Sequence, residues 1–307
     1  MVVKGGSLGR KRSRGEKIFD VANVVFLVLL AMTTLYPFIF ILSGSVSDIN
    51  AIIKNEVVLF PIGFSLDGYK SIIADGQIIT AYGNTLWYTV VGTLINLAVT
   101  LAAAYPLSRK SYPLRGPVMF LISATMFFSG GLVPFYLLIQ NLGLYNTRWV
   151  MVIPGALSVT NLVMARVFFT SNIPEEMSES AKIDGANDIQ TFIRIVLPLS
   201  KAIIAVLALY YGVSHWNNFY NAMVYLRDAD KAPLALYLRR ILILGTTNYA
   251  ADGLVDSEIV ADPLRMNAMV QQMKYCSIIV TMAPILFIYP FFQKYFAKGV
   301  MIGALKA

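Results

Sequence analysis

The sequence predicts an all-α integral membrane protein with six transmembrane helices. Three observations carry this. The 307 residues are 57% hydrophobic and only 14% charged, with a mean hydropathy of +0.65, whereas soluble domains carry about 25% charged residues. Six stretches reach the roughly 20 apolar residues that a bilayer crossing requires. Residues 76–174 contain no Asp or Glu. The same composition excludes disorder, which goes with a shortage of apolar residues. One cysteine, Cys276, excludes a disulfide framework, and one histidine, His215, leaves no Cys/His cluster for zinc.

In chain order, a basic tail occupies 1–18, and its run from Arg10 to Arg14 suits an orientation signal beside anionic lipid. The membrane domain covers 19–296. Its first stretch, about 19–45, is too long for a signal-peptide core and is followed by no small-residue cleavage site. The other five are about 81–107, 116–140, 149–170, 199–223 and 275–296. A short tail, 297–307, closes the chain. Breakers interrupt these stretches at Pro37, the Gly130-Gly131 pair, Pro134, Pro154, Pro284 and Pro290. Transporters place such breaks around a central path, although Gly and Pro are common in membrane helices generally.

Charge sets the orientation. With both termini cytoplasmic, fifteen Lys and Arg fall on the inner side and eight on the outer. Five of those eight lie in one long loop, where the rule is weak. The net charge of +8 then reflects this bias, not a nucleic-acid partner. Loops 46–80 and 224–274 face outward, and 171–198 faces inward.

The inner loop holds five of the 17 acids: Glu175, Glu176, Glu179, Asp184 and Asp188. Pro174 suits a helix start, and the acids behind it suit the positive end of the helix dipole. Gly185 suits that helix's C-terminal stop. A second short helix runs to about Val196, and Pro198 opens membrane helix five. Met177, Ala181 and Ile183 are apolar positions on the first short helix, and Ile189, Phe192, Ile193 and Val196 on the second. These residues alone predict an elbow on the cytoplasmic face, either packed on its own helices or docking a partner.

The same segment resembles the EAA loop of ABC importer permeases, at Glu179, Ala181, Asp184, Gly185, Ala186, Phe192, Ile195, Leu197 and Pro198. Ser180 stands where that family usually has Ala. His215-Trp-Asn-Asn-Phe219 resembles the W-N-x-F stretch of MalG-like carbohydrate permeases, and 59–69 resembles their first outer loop. The tail 298–307 resembles that of an LplC/YtcP-like subgroup importing oligosaccharides. The resemblance covers nearly the whole chain. It implies the type I importer permease fold, in a bacterial plasma membrane, with coupling helices on the cytoplasmic face. It implies a second, MalF-like permease subunit, two copies of an ABC ATPase and an extracellular sugar-binding protein docking on the outer loops. The ATPase would dock on Glu179, Ser180, Ala181, Asp184, Gly185, Ala186, Phe192, Leu197 and Pro198. No P-loop occurs in this chain, so ATP and Mg would sit on the partner ATPase subunits, and this chain would bind no cofactor and catalyse nothing.

Trp216, Asn217, Asn218 and Phe219 pair rings with amides, as sugar recognition needs, and with Asn161 they are the substrate-path candidates. They would equally suit an interfacial aromatic belt. Asn84, Asn96 and Asn161 suit interhelical bonding, and Arg166 suits snorkelling to the inner interface. His215 has no acid beside it for a proton relay and is expected to bond between helices. Cys276 is expected to be an unreactive membrane thiol. The acid-free stretch argues against ion-coupled transport, and paired carboxylates for an embedded enzyme are missing from the spans.

Overall fold

The computed structural model describes residues 13–74, 76–128, 130–244 and 262–304. The basic run as far as Arg12, residues 245–261 of the outer loop and the last three residues lie outside them. Among the described residues the regular structure is helical apart from one antiparallel bridge between Ser47 and Phe64, with turns and irregular segments between the helices. It divides into two compact units, Met1–Tyr69 with Ser257–Ile279 and Lys70–Asp256 with Val280–Ala307.

The first unit begins with α1, Arg14–Ser45, started by a capping box in which Ser13 and Glu16 satisfy each other's backbone N–H. Its apolar side chains are exposed on all sides, and Thr33 and Thr34 turn their hydroxyls back onto carbonyls of the preceding turn. A helix apolar all round belongs in lipid or against other apolar helices. At its outer end α2, Ile49–Ile53, is capped by Asp48. The opening of the last helix, α14 (Pro263–Ala304), packs here. Gln272 donates to the Ser47 carbonyl at 2.7 Å, and Cys276 Sγ lies 3.3 Å from the Ser45 carbonyl. A Cβ on Gly44 would lie 2.6 Å from the Tyr275 ring, so glycine is what allows this approach.

The helix α3 is Asp67–Ala74. The second unit is built around α4, Gln77–Ser108, about 48 Å long at 1.5 Å per residue. The third apolar stretch is two helices, α5 (Arg115–Ala124) and α6 (Leu132–Asn141). They are separated where Gly131 adopts φ +82°, a left-handed backbone that favours glycine. The fourth is a 3₁₀ turn, Arg148–Met151, then α7, Val159–Asn172, with the Pro154-Gly155 step between them. Of the six stretches, α1, α4 and Pro263–Ile288 are continuous helices long and apolar enough to cross a membrane among the described residues. The Gly130-Gly131 and Pro154 breakers divide the third and fourth, and the fifth is divided at 217–219 without a Gly or Pro, whereas Pro37, Pro284 and Pro290 lie inside continuous helices.

Two cores form. The inner one joins Leu101, Leu107, Leu162, Phe169, Val196 and Leu207, and the outer one joins Tyr88, Ile139, Val152, Tyr225 and Leu236. Between them Asn96 donates to the Gly155 carbonyl, and its amide oxygen meets His215 Nε2 at 2.6 Å. The expected interhelical roles of Asn96 and His215 are both present, and Gly92 leaves the space that the imidazole fills. Asn84 instead holds the outer loop, donating to the carbonyls of Asp230 and Ala232.

Candidate functional site

The inner loop forms the elbow. Its first arm, α8 (Glu175–Ile183), carries Glu175 and Glu176 in the first turn and Lys182 in the last, each charge matching the dipole end it sits on. Ala181 is buried, and Met177 packs on the inner core. At the far end the Ala186 N–H reaches the Ala181 carbonyl at 2.9 Å and the Gly185 N–H reaches that of Lys182 at 3.0 Å. With Gly185 at φ +82°, this is a Schellman closure. The next helix, α9 (Asp188–Thr191), is opened by a capping box between Asn187 and Gln190. Asn187-x-x-Gln190 is a readable N-terminal signal that the sequence reading passed over. The four-residue corner is thus closed from both sides.

Beyond it, Phe192–Val196 winds as a π turn, followed by α10 (Leu197–Leu199) and α11 (Lys201–Trp216). Membrane helix five therefore starts at Lys201, not at Pro198. Pro198 has no N–H to give the Arg194 carbonyl, which favours departure from α-helical winding. The direction changes by 82° at buried Ser200, whose hydroxyl donates to the Val196 carbonyl at 2.7 Å.

Three isoleucines expected beside the buried positions are exposed instead: Ile183 at 87%, Ile189 at 69% and Ile193 at 55%. Ile183 is two residues past Ala181, about 200° around the helix, so the two cannot share a face. Glu179, Ser180, Asp184 and Pro198 are exposed with them, Gly185 lies at the corner, and Ala186, Phe192 and Leu197 are half-buried.

Arginines tie together the ends of α4 and α7, from which the elbow leaves. Arg166 on α7 donates Nε to the Leu107 carbonyl at 3.0 Å. Arg109, just past α4, donates Nη1 to the Ile173 carbonyl at 3.1 Å and lies 4.9 Å over the Tyr105 ring. Both accepting carbonyls belong to helix C-termini, where cations are favoured. Arg166 therefore reaches a neighbouring helix end instead of snorkelling outward. The Lys110 N–H adds a 2.7 Å bond to Glu175 Oε1. Nothing in the sequence neighbourhood of Arg109 names Ile173 as a partner.

At the other end of α11, Trp216 is buried, donates Nε1 to the Thr281 carbonyl at 3.1 Å and meets Tyr82 edge-on. Asn217, Asn218 and Phe219 form the step into α12, Tyr220–Tyr225. Asn217 bonds back to Val213, and Asn218 accepts the Asn221 N–H. Phe219 is 41% exposed, with the Arg239 guanidinium 5.9 Å over its ring. Asn161 is nearly buried in the first turn of α7, its N–H directed to Ser158 Oγ. The structure thus brings Asn217, Asn218 and Phe219 together and turns Trp216 into the packing. Nearby, Asn146, at φ +56°, binds Asp228 Oδ2 at 2.9 Å and accepts the Arg227 and Asp228 N–H groups. A hydrogen bond from Lys231, then that from Asn146, holds the Asp228 carboxyl below its ordinary range.

An apolar helical body with a capped elbow at one end of α11 and a polar step at the other is the architecture of a multi-pass membrane protein. Comparison with known proteins completes the identification. No protein-family model matches the chain. It is 36% identical to Protein LplC of Bacillus subtilis, over 96% of this chain and 97% of that protein. It is also 36% identical to the polygalacturonan/rhamnogalacturonan transport system permease protein YtcP of Bacillus subtilis, over 95% and 99%. Among solved structures, a bacterial ABC transporter involved in import of the acidic polysaccharide alginate matches with TM-score 0.86 and 33% identity, covering 94% of this chain and 99% of that one. The chain belongs to the carbohydrate ABC transporter permeases, which work with a partner permease, an ATPase and a binding protein.

Proposed function

We propose that this permease couples to its ATPase through the elbow 171–198 and imports an acidic oligosaccharide. Glu179, Ser180, Asp184 and Ala186 present the docking face, together with the exposed isoleucines. Ala181, Phe192 and Leu197 seat the elbow on the membrane helices, and Gly185 and Pro198 set its corner and its bend. Two ATPase copies serve the permease pair, one seated on this elbow, and they carry ATP and Mg. This chain binds no cofactor and catalyses no reaction. Both termini are cytoplasmic, with the basic tail against lipid, and the sugar-binding protein docks on 46–80 and 224–274. Asn217, Asn218 and Phe219 touch substrate, while Trp216 and Asn161 position them.

The observation that carries the coupling is the double closure of the corner, Schellman on one side and capping box on the other. Such a corner moves as one body, so a pull on α8 reaches α11. Support for an acidic substrate is that one similar protein is named for the acidic polysaccharide alginate and another for polygalacturonan/rhamnogalacturonan. Glu179→Arg and Gly185→Pro, each in the assembled complex, are expected to abolish substrate-stimulated ATP hydrolysis while the chain still inserts in the membrane. Normal stimulation in both would remove the docking assignment.

A further inference from the structure

The polar step at the outer end of α11 holds ring and amide groups for a sugar, and one feature of it is unexplained by sugar recognition alone. Arg239 lies on α13, Leu234–Leu244. That helix is fixed in place: Leu234, Tyr237 and Ile241 are buried at helical spacing, and the Leu234 N–H donates to Thr85 Oγ1 at 2.7 Å. Arg239 is half-buried, about 60° around the helix from the buried Leu236. Its guanidinium carbon lies 5.9 Å over the Phe219 ring. Among the described residues no carboxylate lies in ion-pair range of it, although Lys231, on the same loop, has Asp228. A ring on the face side of a guanidinium leaves its N–H edges for a ligand, and that planar fork matches a carboxylate in a bidentate way.

We propose that Arg239 is a specificity residue that reads the carboxylate of a uronate unit while Phe219 and the amides of Asn217 and Asn218 hold the sugar ring. This rests on the reading of the α11–α12 step as part of the substrate path. The ring and amides recognise any pyranose, and the arginine adds the acid. An alternative role for Arg239, bracing Phe219 from α13, would affect all substrates alike.

The test uses the complete importer, with partner permease, ATPase and binding protein, in proteoliposomes. The probes are trigalacturonate, an alginate trimer and neutral galactotriose, compared in the wild type, Arg239→Gln and Arg239→Lys. Arg239→Gln is expected to lower uptake of at least one acidic trimer tenfold or more. Arg239→Lys should recover part of the loss, and uptake of galactotriose should fall less than twofold. Unchanged acidic uptake in Arg239→Gln overturns the proposal. So does an equal fall for galactotriose and the acidic trimers, because that marks a bracing role. If the wild type moves galactotriose but neither acidic trimer, the acid reading fails and saccharide import stands. If it moves none of the three while hydrolysing ATP, the substrate-path reading itself fails.

Discussion

Arg109 and Arg166 each close the end of the other's helix. Arg166, from α7, bonds the Leu107 carbonyl in the last turn of α4, and Arg109, from the end of α4, bonds the Ile173 carbonyl at the end of α7. The two helices run in the same sense, so their negative ends lie side by side, and the arginines offset that repulsion.

Replacing either arginine with Met is expected to leave a foldable protein. Arg109→Met loses one bond but also removes two buried N–H groups, at Nε and Nη2, that have no partner among the described residues, so its cost stays near about 1 kcal/mol. The defect should show in coupling. Sugar transported per ATP hydrolysed is expected to fall at least threefold in both variants, and an unchanged ratio would show that the clamp plays no part in transmission.

Gly185 tests the corner by backbone conformation alone. Valine at φ +82° meets the steric cost of the left-handed region, about 1–2 kcal/mol, whereas Asn tolerates it better. No neighbouring atom lies near a Cβ there, so crowding is not the cause. Substrate-stimulated ATP hydrolysis should rank wild type, then Asn, then Val; equal rates for Asn and Val would contradict the Schellman account.

Gly92 and His215 form a pair that size alone should reveal. A Cβ at position 92 would collide with the imidazole of His215, so Gly92→Ala is expected to cost about 1–3 kcal/mol. His215→Ala also destabilises, by stranding Asn96 Oδ1. In Gly92→Ala/His215→Ala the clash is gone, and the double variant should be more stable than the sum of the singles predicts. Thermal unfolding of the four purified complexes measures this, and simple additivity would refute it.

At the end of α11 remote from the elbow, Asp228 should make the loop around Asn146 acid-sensitive. Its carboxyl is held below the ordinary value of about 4. The folded form therefore gains from ionisation at pH above that ordinary value and loses the gain as pH falls through the depressed one. Hydrogen exchange at residues 226–232 should quicken as pH drops below about 4, after correction for the intrinsic rate. Asp228→Asn should lose that pH dependence, and retention of it would point to another group.

Much of the fold and of the elbow was legible in the sequence because hydropathy and capping are local. The Gly185 stop needed no knowledge of the tertiary fold. Hydropathy groups Ile183 with Ala181 although their two-residue spacing puts them on opposite faces, and the start of helix five was misplaced because Pro198 marks a bend that the chain completes two residues later. Arg109 with Ile173, and Arg239 with Phe219, pair residues 64 and 20 positions apart, and only the folded chain brings such partners together.

The π turn at Phe192–Val196 gives loop length a meaning of its own. It accommodates one residue more than an α-helix of the same hydrogen-bonded span. Removing one residue there would let the turn relax to α with the helix beyond it close to its former place, whereas removing one from the α-helical part of the elbow would rotate everything beyond by about 100° and shift it by about 1.5 Å. The π turn is thus the one place between corner and bend where the chain can lose a residue and keep the two arms in phase.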